Sequence, residues 1–347
     1  MRTCSSSPSW PPRCPSSGVA EARLIGRRAA FAAPLLLLPA ARGAAAAEKV
    51  VFGLDWKAEA EYGGFYQALA RGIYARHGLD VTIAEGGPQL NHVQMLLAGR
   101  QQFDLAGGRA IEFARHHLPF VAIAAIFQKS PSVLIAHPDT GVHGFADLKG
   151  RPIEVATDAR AGWFRFLAAK YGYSDSQVRP YTFNLAPFLA NKAMVQEGYL
   201  GSEPFLIEQQ AHFTPVVLPI ADGGYLGYAN IIATSRRLIA ANPGLVQRFV
   251  AASIEGWHSY LHDDPEPANA LIRKANPDMP QALIEYGRQA MIAHGIVESG
   301  DAMRLGIGAM TDARWAAFYA AMQAVGVYPK GIDVREGYTL RFVDRGG

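Results

Sequence analysis

Residues able to bind a small molecule follow apolar segments of this 347-residue chain, at positions where strands are expected to end. Asp55 and Trp56 directly follow the apolar run at 50–54, and Glu203 lies in a turn rich in glycine and proline. A carboxylate accepts hydrogen bonds from an amino or ring N–H group, and an aromatic face packs on a heteroaromatic ring. Asp55 has the alternative role of a helix N-cap. These residue types predict a site that recognises a nitrogen-containing ring.

Ten further residues complete the candidate ligand-binding set, and each type has an alternative structural role. Aromatic side chains near helix starts would pack on a ligand or fill the core. Amides after buried strands would contact a ligand edge or satisfy turn backbone. A Gly-Gly pair and arginines would admit and hold an anionic group, or the arginines would be solvated. The ten are Tyr62, Phe65, Gly107, Gly108, Arg109, Gln128, Arg160, Trp163, Tyr228 and Asn230.

Residue patterns typical of catalysis are absent. Both cysteines, Cys4 and Cys14, lie in the first 47 residues, so a disulfide, a cysteine–zinc site and a cysteine nucleophile are excluded after residue 47. The adjacent pair His116 and His117 does not share a helix face, which is poor geometry for a metal. The sequence has no H-E-x-x-H, P-loop or G-x-S-x-G motif. We therefore expect no metal, no cofactor and no enzymatic activity.

The first 47 residues have the pattern of an export signal. Arg27 and Arg28 precede an apolar stretch at 29–41 and a small-residue tract at 44–47, the order found in secretory signal peptides. We expect cleavage near residues 43–47 and a periplasmic location, with the twin-arginine and ordinary secretion routes both open. The leader holds six arginines and one acidic residue, which leaves 27 basic and 29 acidic residues after it, a net charge of −2. A basic nucleic-acid-binding surface is therefore not expected.

Strands and helices are predicted to alternate through the first two thirds of the exported chain. Apolar runs at 50–54, 79–83 and 120–126 are separated by segments with helical spacing, and the pattern continues to residue 234. Such alternation predicts mostly parallel sheets with ligand chemistry at the carboxyl ends of their strands. After Ser235 the pattern is helical. This tail is too apolar to stand alone and must pack on one half of the α/β body.

The order of several short motifs resembles the periplasmic substrate-binding proteins of ABC importers. The nearest branch is the one related to thiamine-pyrimidine synthase and to sulfonate and nitrate binders, and the resemblance covers residues 48–347. Its motifs are Leu54-Asp55-Trp56, Gly63-Gly64-Phe65-Tyr66, Ala70-Arg71-Gly72-Ile73-Tyr74, His77-Gly78-Leu79-Asp80-Val81, Asp147-Leu148-Lys149-Gly150, Gly198-Tyr199-Leu200-Gly201-Ser202-Glu203-Pro204, and Asn242-Pro243 through Arg248-Phe249. The pair Gly107-Gly108 followed by Arg109 departs from the pyrimidine branch.

The resemblance implies a two-lobed α/β fold of the type II periplasmic binding class, each lobe a mostly parallel sheet flanked by helices. Residues 48–136 and 232–347 would form lobe 1 and residues 137–231 lobe 2, with chain crossings near 136–140 and 228–233. The two crossings would act as a hinge that closes the lobes on a ligand. The family's pyrimidine synthases use a cysteine-rich stretch, which is missing here, so the resemblance favours a binding protein.

The function implied is the capture of a small heteroaromatic compound, similar to a pyrimidine or thiamine precursor, in the cleft between the lobes. The expected partners are this small molecule and an ABC permease with its ATPase, and the protein is expected to be a monomer. Three alternatives stay open: a sulfonate- or nitrate-type anion binder, an exported enzyme on the same fold, and a sensor-like binding protein without a transporter.

Overall fold

The computed structural model describes residues 46–87 and 92–343. The predicted signal peptide lies outside the described residues, apart from the last two positions of its cleavage region. Ten strands are described: β1 Glu48–Gly53, β2 Leu79–Ala84, β3 Phe103–Leu105, β4 Phe120–Phe127, β5 Ser132–Ala136, β6 Ile153–Val155, β7 Val178–Pro180, β8 Val195–Tyr199, β9 Val216–Pro219 and β10 Ala229–Ser235.

Fourteen α-helices accompany the strands in the described part of the chain. They are α1 Gly63–Ala70, α2 Ile73–Arg76, α3 His92–Leu97, α4 Ala110–Arg115, α5 Thr157–Ala161, α6 Trp163–Tyr171, α7 Ala186–Ala190, α8 Glu203–Ala211, α9 Arg236–Ala241, α10 Pro243–His262, α11 Glu266–Ala275, α12 Gln281–Ala293, α13 Ala302–Leu305 and α14 Asp312–Ala324. None of these helices is long and apolar enough to cross a membrane. The predicted helical tail after Ser235 is confirmed.

The strands form two five-stranded sheets. The first has the order β2-β1-β3-β10-β4 and the second the order β7-β6-β8-β5-β9. In the first, β1 is parallel to β2 and β3, whereas β10 is antiparallel to β3 and β4. In the second, β6 is parallel to β7 and β8, whereas β5 is antiparallel to β8 and β9. The two-sheet α/β fold is confirmed. Four strands of each sheet run in one direction, as predicted for mostly parallel sheets, and only β10 in the first sheet and β5 in the second run in reverse.

The chain passes between the two sheets at positions different from those expected. It leaves the first sheet after Phe127 and enters the second at Ser132, and it returns between Pro219 and Ala229. The strand β5, which the sequence assigned to lobe 1, pairs with β8 and β9 in the second sheet. Both β4 and β5 are fully buried apolar runs, and such a run carries no information about which sheet it joins. The lobe boundaries themselves stay a prediction.

The helical tail covers the first sheet. Helix α10 packs on α1, and its Phe249 ring stacks on Phe103 of β3 at 3.9 Å between ring centroids. Trp257, also on α10, meets the ring of Phe65 edge-on at 5.6 Å. These rings are fully buried. The first half of the chain therefore depends on residues some 150 to 200 positions later for its core.

Candidate functional site

The end of β1 brings three predicted site residues together. Asp55 follows β1, and the hydroxyl of Tyr62 donates a hydrogen bond of 2.8 Å to its Oδ1 atom. Gly107, which follows β3, lies close enough that a methyl group in place of its hydrogen would be 3.9 Å from Asp55 Oδ2. The parallel pairing of β1 with β3 explains this proximity, because both strands end at the same edge of the sheet.

An aromatic contact links this edge to the second sheet. The Trp56 ring lies 4.9 Å from that of Phe183, and Phe183 lies 5.1 Å from Tyr181, which follows β7. Phe183 is 56% exposed and has a φ of 58°, a left-handed conformation that a phenylalanine rarely adopts. The sequence analysis missed Tyr181 and Phe183, although two aromatic residues just after a short strand were a usable signal.

Glu203 is held in place by three donors. Its carboxylate accepts hydrogen bonds from the Tyr181 hydroxyl at 3.0 Å, the Tyr199 backbone N–H at 2.7 Å and the Ser202 hydroxyl at 2.5 Å. Glu203 opens helix α8, where a negative charge is favourable. Its position beside the aromatic residues agrees with the prediction, but most of its hydrogen-bonding capacity is already used by the protein.

Two further acidic residues adjoin Asp55 and Glu203. Burial raises the pKa of Glu61 to about 7, and burial together with the charges of Glu61, Glu203 and Asp55 raises the pKa of Glu59 well above its usual range. We call Asp55, Glu59, Glu61 and Glu203 the carboxylate cluster. In the described ranges no lysine, arginine or histidine forms an ion pair with Glu59, Glu61 or Glu203. Glu59 and Glu61 are not among the residues predicted from the sequence, because acidic residues in a short polar segment are typical of the protein surface.

Gln128 and Tyr228 lie in a different cluster, where the chain crosses between the sheets. The Gln128 amide donates to Ala125 O at 3.3 Å and to Ala309 O at 3.0 Å. The Tyr228 hydroxyl donates to Asp301 Oδ2 at 2.5 Å and accepts from the Thr311 backbone N–H at 3.1 Å. Both side chains are fully engaged and buried, so their predicted ligand contacts are corrected to structural ones.

Arg314 of α14 stands at the centre of that second cluster. Its guanidinium donates to Gln128 O, to Gln128 Oε1 at 3.4 Å and to Leu226 O at 3.2 Å. It also lies over the Tyr228 ring at 4.3 Å and 3.9 Å from Asp301 Oδ2. We call Gln128, Tyr228, Asp301, Thr311 and Arg314 the crossing cluster. Arg314 therefore binds both of the segments that join the two sheets.

Among the remaining predicted residues, the predicted ligand contact of Phe65 is corrected to a role in the core. Its ring is fully buried between Phe52 and Trp257, so it fills the core and offers no face to a ligand. Trp163 is also buried and meets Phe164 edge-on. Asn230 donates from Nδ2 to the backbone carbonyl of Glu61 at 2.8 Å. Asn230 thus positions the segment that carries Glu59 and Glu61.

Of the segment Gly107-Gly108-Arg109 after β3, only Gly107 is recorded close to Asp55. A methyl group on Gly108 would lie 3.2 Å from the Tyr228 carbonyl oxygen, which explains the small residue there. Arg109 is exposed, and its Nε donates to Ala106 O at 3.0 Å. Arg160, on α5, is exposed as well.

The site therefore combines aromatic faces with hydrogen-bond acceptors and uncompensated acids. Trp56, Phe183 and Tyr181 supply flat surfaces, and Asp55 and the acidic residues around it supply acceptors. Such a combination suits a flat ring that carries N–H donors or positive charge. The described residues contain no group of three or more histidine, cysteine or acidic side chains arranged to hold a metal ion.

Comparison with known families and curated proteins gives two matches. A family model described as NMT1/THI5 like matches residues 59–268, which is more than half of the chain. The riboflavin-binding protein RibY of Chloroflexus aurantiacus is 26% identical over 317 residues, covering 89% of this chain and 90% of that protein.

Solved structures with the same fold include both binding proteins and an enzyme. The periplasmic aliphatic sulphonate binding protein SsuA from Escherichia coli matches with a TM-score of 0.62 and 13% identity, over 83% of this chain and 91% of that one. The desulfurization enzyme DSZB matches with a TM-score of 0.54 and 13% identity, over 86% and 98%. At such identities the likeness establishes the fold, a two-lobed α/β fold of the periplasmic binding class.

Proposed function

The chain belongs to the NMT1/THI5-like family, and from that premise we propose that it is the periplasmic solute-binding component of an ABC importer. Its ligand is a small heteroaromatic compound with N–H donors, of the pyrimidine or thiamine-precursor kind. The observation that carries this proposal is the contact of Trp56 with Phe183 beside the carboxylate cluster. Aromatic faces bind the ring, and Asp55 and its neighbours accept its hydrogen bonds.

The similarity to a riboflavin-binding protein supports a heteroaromatic ligand. An isoalloxazine ring presents a large flat surface and a pyrimidine-like edge with an N–H donor, which the same aromatic faces and acceptors would accommodate. The proposal therefore includes flavins beside pyrimidines, with the choice left to a binding experiment.

The sulfonate alternative draws on the SsuA-like fold and on Arg109 next to Gly107 and Gly108. The charges around Trp56 oppose it, because Glu59, Glu61 and Glu203 would repel an anion in a half-buried site. Arg109 and Arg160 are both exposed. An anion is thus the second candidate.

Binding is proposed to close two lobes about the crossing segments. Two passages of the chain restrict the lobes to bending, and Arg314 ties the two passages to each other. An importer's permease and ATPase would act on the closed form. The desulfurization enzyme with this fold makes catalysis an alternative to be tested, and we propose binding without turnover.

A ligand screen tests the proposal directly. Thermal shift and calorimetry would compare 4-amino-5-hydroxymethyl-2-methylpyrimidine, riboflavin, methanesulfonate and nitrate, since a ligand at a hundredfold excess over Kd adds about 2.7 kcal/mol of stability. We expect a heteroaromatic compound to bind, to be recovered with unchanged mass, and to reduce the radius of gyration in small-angle scattering. Stabilisation by the anions alone would contradict the proposal, and a bound ligand without compaction would contradict the closure.

A further inference from the structure

Glu61 has a buried carboxyl group whose only hydrogen-bond donor among the described residues is its own backbone N–H. The residue is 3% exposed, and no donor of the described residues reaches its Oε1 atom. That oxygen faces the loop between β8 and α8, since a methyl group on Gly201 would lie 2.2 Å from it. The loop also carries Glu203. Burying an unpaired carboxylate costs several kcal/mol, so an unpaired acid between the two sheets requires an explanation.

The elements around Glu61 supply more negative charge and no available cation. Glu59 and Asp55 lie on its own segment, and Glu203 faces it from α8. Helix α12 packs alongside through Gly287. The next residue, Arg288, directs its guanidinium to the carbonyl oxygens of residues 260 and 261 and to the carboxylate of residue 285.

The remaining polar groups near Glu61 are phenols, which are neutral at physiological pH. Tyr62 donates to Asp55, and Tyr260 of α10 donates to Asn269 at 3.2 Å. The phenol of Tyr199 lies near that of Tyr62. None of these groups neutralises a carboxylate, so the compensating charge must come from outside the chain or from a proton.

We propose that the bound ligand carries a positive charge, as an ammonium group, which pairs with Glu59 and Glu61 while the ring packs on Trp56 and Phe183. This inference rests on the proposed function and narrows its substrate class. Aromatic faces attract a cation in addition to stacking with its ring, and charge-assisted hydrogen bonds are about twice as strong as neutral ones. With a neutral ligand, a proton would have to supply the compensating charge instead.

Binding of a cation also releases a proton. Without ligand, Glu61 is protonated over much of the range below its pKa of about 7. A cation beside the pair favours the ionised carboxylate, and the displaced proton passes to the solvent. Affinity for the cation therefore rises with pH until the pair is ionised.

The experiment compares two probes that differ in one group. The probes are 4-amino-5-aminomethyl-2-methylpyrimidine, whose side-chain amine is charged, and its neutral 5-hydroxymethyl analogue. Calorimetry at about pH 6, in two buffers with different ionisation enthalpies, counts the protons released per ligand bound. We expect the charged probe to bind at least about tenfold more tightly and to release a proton, and the neutral probe to release none.

Variants test whether Glu59 and Glu61 cause the proton release and the preference for the charged probe. Glu61→Gln should abolish the proton release and most of the preference for the charged probe. Glu255→Gln, which removes a carboxylate paired with Arg76 and His77 on the surface, should leave both unchanged. If Glu61→Gln does not fold, Glu59→Gln and the proton count of the unaltered protein decide the question.

The outcomes separate this inference from the proposed function. Equal binding of the two pyrimidines without proton release overturns the positive charge and leaves a heteroaromatic receptor. Binding of methanesulfonate in place of both pyrimidines overturns the two proposals together. Binding of a simple aliphatic diamine as tightly as the charged pyrimidine keeps the charge and overturns the heteroaromatic ring.

Discussion

The carboxylate cluster and the crossing cluster both lie where the two sheets approach each other, but they differ in whether their acidic residues have a partner of opposite charge. In the crossing cluster Arg314 lies beside Asp301. The Gln128 amide, the Tyr228 hydroxyl and the Leu226 carbonyl are all hydrogen-bonded. In the carboxylate cluster Glu59 and Glu61 have no partner of opposite charge among the described residues. Satisfied polar groups stabilise a fold, whereas an uncompensated buried acid costs stability and is retained where a ligand completes it.

This difference explains which sequence expectations failed. Gln128 and Tyr228 are predicted ligand contacts, Gln128 because it follows a buried strand and its amide offers both a donor and an acceptor. In the structure their partners are Ala309, Asp301 and Arg314, all contributed by the distant tail. A polar residue type indicates that a partner exists and does not say whether the partner is protein or ligand.

Removing the Arg314 guanidinium from the crossing cluster should change the stability of the protein more than any other substitution proposed here. Arg314→Ala removes the donor to Gln128 Oε1 and the cation beside Asp301, in a site where the arginine side chain is only 19% exposed. We expect the free energy of unfolding to fall by about 3 kcal/mol in urea denaturation. Arg335→Ala is the matched control, since its pair with Asp312 is 72% exposed on the arginine side and is worth under about 1 kcal/mol. Equal losses in both variants would remove the distinction between the clusters.

Neutralising Glu61 should raise the free energy of unfolding, whereas removing Arg314 lowers it, and the size of this increase should depend on pH. The raised pKa of Glu61 means that the folded state binds more protons than the unfolded state between about pH 4.5 and 7. Stability contributed by this group is therefore present at low pH and lost as pH rises through about 7. Glu61→Gln should be more stable than the natural protein by roughly 2 kcal/mol near pH 8 and by little near pH 4.

Glu255 is the control for this pH dependence, because its pKa is shifted in the opposite direction from that of Glu61. Hydrogen bonds from His77 and Arg76 lower the pKa of Glu255, so its contribution is present above the unfolded pKa and is lost as pH falls. Glu255→Gln should then be less stable near neutral pH and unchanged in acid. Urea unfolding at several pH values measures both variants, and parallel pH profiles for the two would contradict the assignment.

Loss of the main aromatic face should weaken ligand binding with less effect on the fold. Trp56 is half-buried, and its ring contacts that of Phe183 at an interplanar angle of 38°. We expect Trp56→Ala to weaken binding of the heteroaromatic ligand by about tenfold, or ~1.5 kcal/mol, in calorimetry. Trp56→Phe retains a flat ring and should recover most of the affinity. Unchanged affinity in Trp56→Ala would move the ligand site away from β1.

The smallest effect is expected at Phe183. Its φ of 58° is strained for phenylalanine and free of strain for glycine. Phe183→Gly should therefore lose the contact with Trp56 and gain a comparable amount from the relieved backbone, so that stability changes by under about 1 kcal/mol. Ligand affinity should still fall a few-fold. An intact affinity would show that this exposed ring is not part of the site.

The fold class was accessible from the sequence because its signals are local. Alternating apolar runs and helical spacing identified the strands, and the apolar pattern after Ser235 indicated a packed helical tail. The sheet that β5 joins was not accessible in this way, because β4 and β5 are both buried on each face. Either sheet could accept such a strand, so the choice depends on the neighbours that pair with it.

The residues of the candidate site likewise fall into those indicated by local sequence and those that depend on tertiary contacts. The residue types after β1 determined that Asp55 and Trp56 stand at a strand end, and the turn before α8 determined the place of Glu203. Phe183, Glu59 and Glu61 became site residues only in three dimensions, because their partners come from the other sheet or are missing. Hydrogen bonding and burial depend on what lies within a few ångströms, and sequence spacing specifies that distance only within one helix, strand or turn. The sequence alone determined the kinds of groups available, and the tertiary structure decided which were paired with the protein and which were left for a ligand.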